Sequence, residues 1–292
     1  MFASLPPLDP DVRAAYLARL GLEPAPPSAD ALCSLAQRQA ERVPYETLWI
    51  QAGEAWSVDP HEAARRIARE GRGGYCYHLN GALGLLLSSL GYDVRGHVGG
   101  VHGPDGPDPA SAGNHLALTV HGLPTDTNPG GTWYVDNGLG DALHGPLPLV
   151  AGEHHQPPFR LSLEQEPGST AWHLTHDPSG GFRGMRWTSS VATLSDFEDK
   201  HRWLSTSPDS SFVQVAMAER RDATGVDVVR GLISMRIGAD AHTAEPVMRR
   251  AEWFDLLADR FGLRLETSTP EARDRLWRTV VDAHRRWEAT RG

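Results

Sequence analysis

A cysteine acts as a nucleophile through its thiolate, and a thiol ionises most readily at the N-terminus of a helix or beside an imidazolium. Cys76 has the first of these settings. It follows Arg72-Gly73-Gly74-Tyr75 and opens the run 76–90, in which Leu79, Leu83, Leu86, Leu87 and Leu90 recur at helical spacing. The glycines let the chain turn sharply and let a substrate approach the backbone. The helix dipole favours a negative sulfur, and the amides of the first turn suit an oxyanion. A base must then lie within hydrogen-bond reach. His115 stands at the mouth of the apolar stretch 116–121, which would hold an imidazole rigidly. Asp136 ends the stretch 132–136 and precedes Asn137-Gly138-Leu139-Gly140; a carboxylate there is costly to bury without a partner and could orient the base. Cys, His and Asp so placed would carry out acyl transfer through a thioester. Each position also has a plainer reading: a small buried thiol, a hydrogen-bonded structural imidazole, a turn-forming Asp. Among the other histidines, His97 and His102 flank a glycine loop and read as solvent-facing. His154-His155 lacks a second ligand group at metal spacing, so no metal site is expected.

The elements that must position these residues follow from periodicity and punctuation. Helical spacing covers 12–20, 29–42, 61–69 and 76–90, with Pro and Gly between them and Ser28 or Asp30 as a cap for the second helix. Strand patterns follow at 92–98, 116–121, 132–136, 159–163, 171–175, 212–218 and 225–237. The segment 99–113, rich in Gly, Pro and Asp, reads as a mobile loop. Helices return at 248–261 and 270–287. Helices, then strands, then helices point to an α+β fold. A length of 292 residues suits about two domains or one unit with lobes. The formal net charge of −9 argues against a nucleic-acid-binding surface. Two cysteines, Cys33 and Cys76, make at most one bridge. No signal-peptide pattern opens the chain, and the most apolar run, 83–90, is far short of the roughly 18 residues of a membrane span. A cytoplasmic protein with no membrane partner is expected.

Together the motifs resemble those of the arylamine N-acetyltransferases. Arg72-Gly73-Gly74-Tyr75-Cys76-Tyr77-His78-Leu79-Asn80 is similar to the family's RGGxCxxxN signature. Val43-Pro44-Tyr45-Glu46-Thr47-Leu48 looks like its PFEN(L) segment, Asn114-His115-Leu116 like its histidine motif, and Val135 to Gly140 like its VDVGFG motif. The stretches 204–212 and 252–254 match its third domain, so the resemblance spans nearly the whole chain. It implies a cysteine-protease-like core in three lobes: a helical bundle over 1–91 carrying Cys76, a β-barrel over 92–204 carrying His115 and Asp136, and an α/β lid over 205–292. It implies that Cys76 takes the acetyl group of acetyl-CoA, that His115 serves as acid and base, and that Asp136 holds the imidazole. An aromatic amine or hydrazine then attacks the thioester in a ping-pong cycle. No metal and no tightly bound cofactor is required, and a monomer or homodimer is expected. Arg72 and Glu46 would pair to fix the glycine turn, and Asn80, one turn beyond Cys76, would face the same cleft. Tyr45 and Leu139 would line the acceptor pocket; Val98, Gly99, Gly100 and Asn114 would border the path of the pantetheine arm.

The chain departs from the family pattern at His78, Leu139 and Thr47, all expected near the cleft and so bearing on acceptor choice. The same triad serves amide synthases that take a polyketide chain from a carrier protein, and cysteine hydrolases or transglutaminase-like enzymes. A binding protein that kept the fold and lost turnover is the non-enzymatic alternative. The Arg-Gly-Gly prefix favours the transferase.

Overall fold

The computed structural model describes residues 1–239 and 242–290. In chain order the elements are α1 (Pro10–Leu20), α2 (Ala29–Arg42), β1 (Tyr45–Glu46), α3 (Leu48–Ala52), α4 (Pro60–Glu70), α5 (Cys76–Ser89), β2 (Asp93–His102), β3 (His115–His121), β4 (Trp133–Val135), β5 (Leu147–Pro148), β6 (Gly152–Gln156), β7 (Phe159–Gln165), β8 (Trp172–Thr175) and β9 (Gly184–Trp187). Then come α6 (Ser195–Thr206), α7 (Ser211–Gln214), β10 (Met217–Asp222), β11 (Gly225–Arg230), β12 (Ile233–Gly238), β13 (His242–Pro246), α8 (Arg250–Phe261) and α9 (Pro270–Ala289). The architecture is α+β, with helices first, a curved antiparallel sheet in the middle and a smaller sheet with two helices last.

Local chemistry explains the helix starts. Asp9 caps α1, Ser28 caps α2 and Asp59 caps α4, each side chain accepting a first-turn amide. α5 behaves differently from an amphipathic helix. Every residue from Cys76 to Leu87 is buried, because α4, β2 and β3 pack around it. The leucines that read as one stripe therefore belong to a helix covered on all sides.

The large sheet runs β5-β4-β3-β2-β9-β8-β7-β6, with every pairing antiparallel. The second sheet runs β1-β10-β11-β12-β13. Its first strand comes from the helical lobe: Tyr45 pairs with Glu219 and Glu46 with Ala218. The C-terminal sheet is thus hydrogen-bonded to the segment 45–46, which in turn bridges the Arg72–Cys76 turn through Tyr45 and Gly74. The boundary drawn at 204/205 falls in the last turns of α6.

Several expectations change. The segment 99–102 is strand rather than loop, because Gly99 to His102 pair with β9 on one side and Gly99 pairs with His115 on the other. The segment 212–218 begins as helix α7, since the Ser210 side chain accepts the Phe212 amide and turns the chain before β10 starts. The segment 225–237 is a hairpin broken at Gly231, which sits at φ +59 and lets the chain reverse. His97 is buried rather than solvent-facing; its ring contacts Thr119 Oγ1 at 2.8 Å and the Ser190 carbonyl at 3.0 Å. His102 is half-buried and meets His173 ring to ring at 2.9 Å. Cys33 and Cys76 are both free.

Candidate active site

Cys76 is the first residue of α5, and the turn before it is held from behind. Arg72 Nε donates to Glu46 Oε1 at 2.7 Å and Arg72 Nη2 to Glu46 Oε2 at 3.2 Å, both side chains being buried. Glu46 also accepts the Leu48 amide, and Arg72 lies over the Trp56 ring. Removing one member of such a pair typically costs about 3–5 kcal/mol, because the other charge stays buried. The Glu46 amide donates to the Gly74 carbonyl, tying the turn to β1. At Gly73 a Cβ would fall on the Pro44 carbonyl oxygen, so only glycine fits. His78 secures the start of α5: its Nδ1 accepts the Tyr75 amide at 3.3 Å. Burial, then the charges of Arg66 and His201, lower its pKa well below the usual imidazole range, which keeps that nitrogen an acceptor.

His115 opens β3, and its Nε2 contacts Asp136 Oδ2 at 2.7 Å. The other ring nitrogen is left for Cys76, whose sulfur lies within hydrogen-bonding reach. Burial alone would lower the His115 pKa. The Asp136 carboxylate and the Cys76 sulfur, by charge and hydrogen bond, outweigh it and raise it to about 10. An imidazolium beside a sulfur favours the thiolate. The Cys76 thiol also points at the Asn114 carbonyl, 3.5 Å away.

Asp136 is satisfied on every side. Oδ1 accepts from Asn80 Nδ2 at 2.7 Å and from the Gly138 amide at 2.9 Å; Oδ2 accepts from Tyr134 Oη at 2.7 Å besides His115. Burial and the Asp136 charge push the Tyr134 pKa well up, so its hydroxyl keeps the proton it donates. Asn80 is buried behind the triad, bonded also to the Leu116 carbonyl and the Asn137 amide, rather than facing the cleft. Gly138 brings the loop after β4 against the nucleophile, where a Cβ would sit 2.7 Å from Cys76 Cα.

Cys76 and His115 open onto a cleft of about 600 Å³. Tyr45 and Leu139 line it. Val98, Gly99 and Gly100 are held in β2 and do not reach its wall; the strand meets the cleft at Val101. Asn114 lines it too, but its side chain is engaged by Val101, accepting the amide at 2.8 Å and donating to the carbonyl at 2.9 Å. Of the three departures only Leu139 borders the cleft. His78 packs among Trp49, Trp56, Tyr75 and His201. Thr47 accepts the Met217 amide at 3.0 Å and so joins two lobes. The far wall carries residues that the motifs do not mark: Asp141, the loop Ser179 to Phe182, and Met217, Glu219, Val228 and Arg230 of the C-terminal sheet. Alternation along β10 would have pointed to Glu219, had the strand's start been legible. Among the described residues no group of three or more His, Cys, Asp or Glu could hold a metal ion, and no helix is long and apolar enough to cross a membrane.

Comparison with known proteins bears on the family and the fold. A family model described as N-acetyltransferase matches residues 28–269. The chain is 30% identical over 263 residues to an arylamine N-acetyltransferase of Mycolicibacterium smegmatis, covering 86% of this chain and 91% of that one. It is 27% identical to arylamine N-acetyltransferase 2 of Mesocricetus auratus over 90% of this chain and 98% of the relative. The solved structure of the Mycobacterium marinum arylamine N-acetyltransferase superposes with a TM-score of 0.79 at 25% identity, covering 92% of this chain and 98% of that one.

Proposed function

The chain belongs to the arylamine N-acetyltransferase family, a family of acyltransferases, and from that premise we propose that it carries acetyl from acetyl-CoA to an aromatic amine or hydrazine by a ping-pong cycle on Cys76. The observation that carries this reading is that Cys76 and His115 line one cleft, with Asp136 buried behind and bonded to the His115 ring at 2.7 Å.

In the first half-reaction the Cys76 thiolate attacks the thioester carbonyl of acetyl-CoA. A new C–S bond forms to Cys76, the C–S bond to CoA breaks, and His115 gives its proton to the departing CoA sulfur. In the second, the amine nitrogen attacks the acetyl-Cys76 carbonyl and the C–S bond breaks. The amine proton passes to His115, restoring the thiolate–imidazolium pair. Asp136 keeps the ring in place through both steps. Arg72, Glu46 and Asn80 act by positioning. Tyr45 and Leu139 are the acceptor contacts in this reading, and Val101 with Asn114 borders the donor's path. A reducing, cytoplasmic setting suits a catalytic thiolate.

Initial rates over a matrix of acetyl-CoA and arylamine concentrations test the cycle. Parallel double-reciprocal lines, with free CoA released in step with amide formed, are expected. Intersecting lines would point to a ternary complex. No release of CoA with any small amine would point instead to an acyl chain delivered by a carrier protein.

A further inference from the structure

The wall of the cleft formed by the C-terminal sheet carries a carboxyl group with no hydrogen-bond or ion-pair partner among the described residues. β1 and β10 run antiparallel with Tyr45 directly opposite Glu219. Side chains paired in this way leave a sheet on the same face, with Cβ atoms about 5 Å apart, and both of these line the cleft. Cys76 lines the same cleft, so the Tyr45 ring shares that space with both the nucleophile and the carboxyl. Room for the carboxyl comes from Gly140, at φ +74, where a Cβ would fall on Glu219 Oε2. Among the described residues Glu219 makes no hydrogen bond and no ion pair. Its neighbours on that sheet face are apolar Met217 and Val228, with Arg230 opposite Met217 beyond ion-pair distance and Arg221 turned to the Gly225, Gln156 and Pro157 carbonyls. Asp141 on the loop after β4 adds a second carboxylate, one oxygen accepting the Gly181 amide at 2.7 Å and the other lying 3.3 Å from His176 Nε2. Burial and then Asp141 raise the Glu219 pKa well above the carboxylate range, with Arg230 pulling the other way. A desolvated carboxyl beside another acid is stabilised by meeting a cation.

We propose that Glu219 is a specificity-determining residue that selects acceptors carrying a second, positively charged nitrogen: an aromatic amine or hydrazine with an ammonium, amidinium or guanidinium arm. The inference rests on the acetyl-transfer reading and adds the charge of the acceptor to it. The cationic arm meets Glu219, the ring lies along Tyr45 and Leu139, and the uncharged amine is left to attack at Cys76. An acceptor with a carboxylate at the same place meets Glu219 and Asp141 and is repelled.

Three acceptors with one ring and different charge test this on the whole chain at neutral pH: 4-(aminomethyl)aniline, p-toluidine and p-aminobenzoate. A charge-assisted contact is worth roughly ten- to a hundredfold, so kcat/KM for 4-(aminomethyl)aniline should exceed that for p-toluidine by about tenfold or more, chiefly through KM. In Glu219→Gln that preference should fall by about tenfold, and Glu219→Asp should restore part of it. Isothermal titration of 4-(aminomethyl)aniline onto wild type and Glu219→Gln should give the same contrast without chemistry. If the protein forms its acetyl-thioester yet treats the ammonium compound no better than p-toluidine, or if Glu219→Gln keeps the preference, the inference is overturned and the acetyl-transfer reading stands. Glu219-dependent binding in a protein that accepts no acetyl group would do the reverse.

Discussion

Asp136, buried behind His115, and Glu219, on the wall of the cleft, are carboxylates in opposite surroundings. Asp136 is buried, and its two oxygens accept four donors from Asn80, Gly138, Tyr134 and His115. Glu219 lines the open space with no donor among the described residues. Burial of a carboxylate is tolerated where hydrogen bonds replace its water. At Asp136 that replacement is complete, so the group is spent on holding His115 and has nothing left for a substrate. At Glu219 it is missing, so the group is available to whatever enters. The first carboxylate serves the chemistry common to the triad; the second serves choice.

The largest expected effect breaks the first half of this contrast. Asp136→Asn puts an amide NH₂ where donors now converge and removes the charge that raises the His115 pKa. Acetylation of Cys76, followed by stopped-flow release of CoA, should slow by about three to four orders of magnitude. Heteronuclear NMR should show His115, doubly protonated at pH 8 in the wild type, becoming neutral there. The same substitution should lower stability by about 1–3 kcal/mol in urea titrations, since a buried donor loses its acceptor.

The smaller effect sharpens the second half. Glu219 has a folded pKa raised above its unfolded value of 4.5. A carboxyl raised in this way adds stability below the unfolded pKa and loses that contribution as pH climbs toward the folded one. Glu219→Gln should therefore stabilise the fold at pH 7 by about 1 kcal/mol, and the gain should shrink as pH falls toward 4.5. Denaturant midpoints of the two proteins across this range measure it. A destabilised Glu219→Gln would mean that Glu219 has a structural partner.

What was legible in the sequence follows the same division. Cys76, His115 and Asp136 could be read because each stands at the end of an element with strong periodicity, and because motif residues such as Gly73 and Gly138 answer close backbone approaches. The bounds of α2 follow from its cap and spacing. Less legible were side chains whose partners lie far along the chain. His97 looked solvent-facing because Thr119 and the Ser190 carbonyl cannot be anticipated from its neighbours. His78 and Thr47 looked like cleft residues, yet one caps α5 and the other joins β10 to the helical lobe. Glu219 was hidden for a related reason. Reading 212–218 as one strand concealed α7, and only the pairing of β1 with β10 brings Glu219 opposite Tyr45.

The central claim is that Cys76 is the acyl carrier. Intact-protein mass spectrometry tests it most directly. On addition of acetyl-CoA the chain should gain a single acetyl group, mapped by peptide digestion to Cys76, and should lose it when an arylamine is added. Cys33→Ser should label as the wild type does, and Cys76→Ser should not label. A folded protein that takes no acetyl group on Cys76 from fresh acetyl-CoA, or takes it on Cys33, would contradict the account.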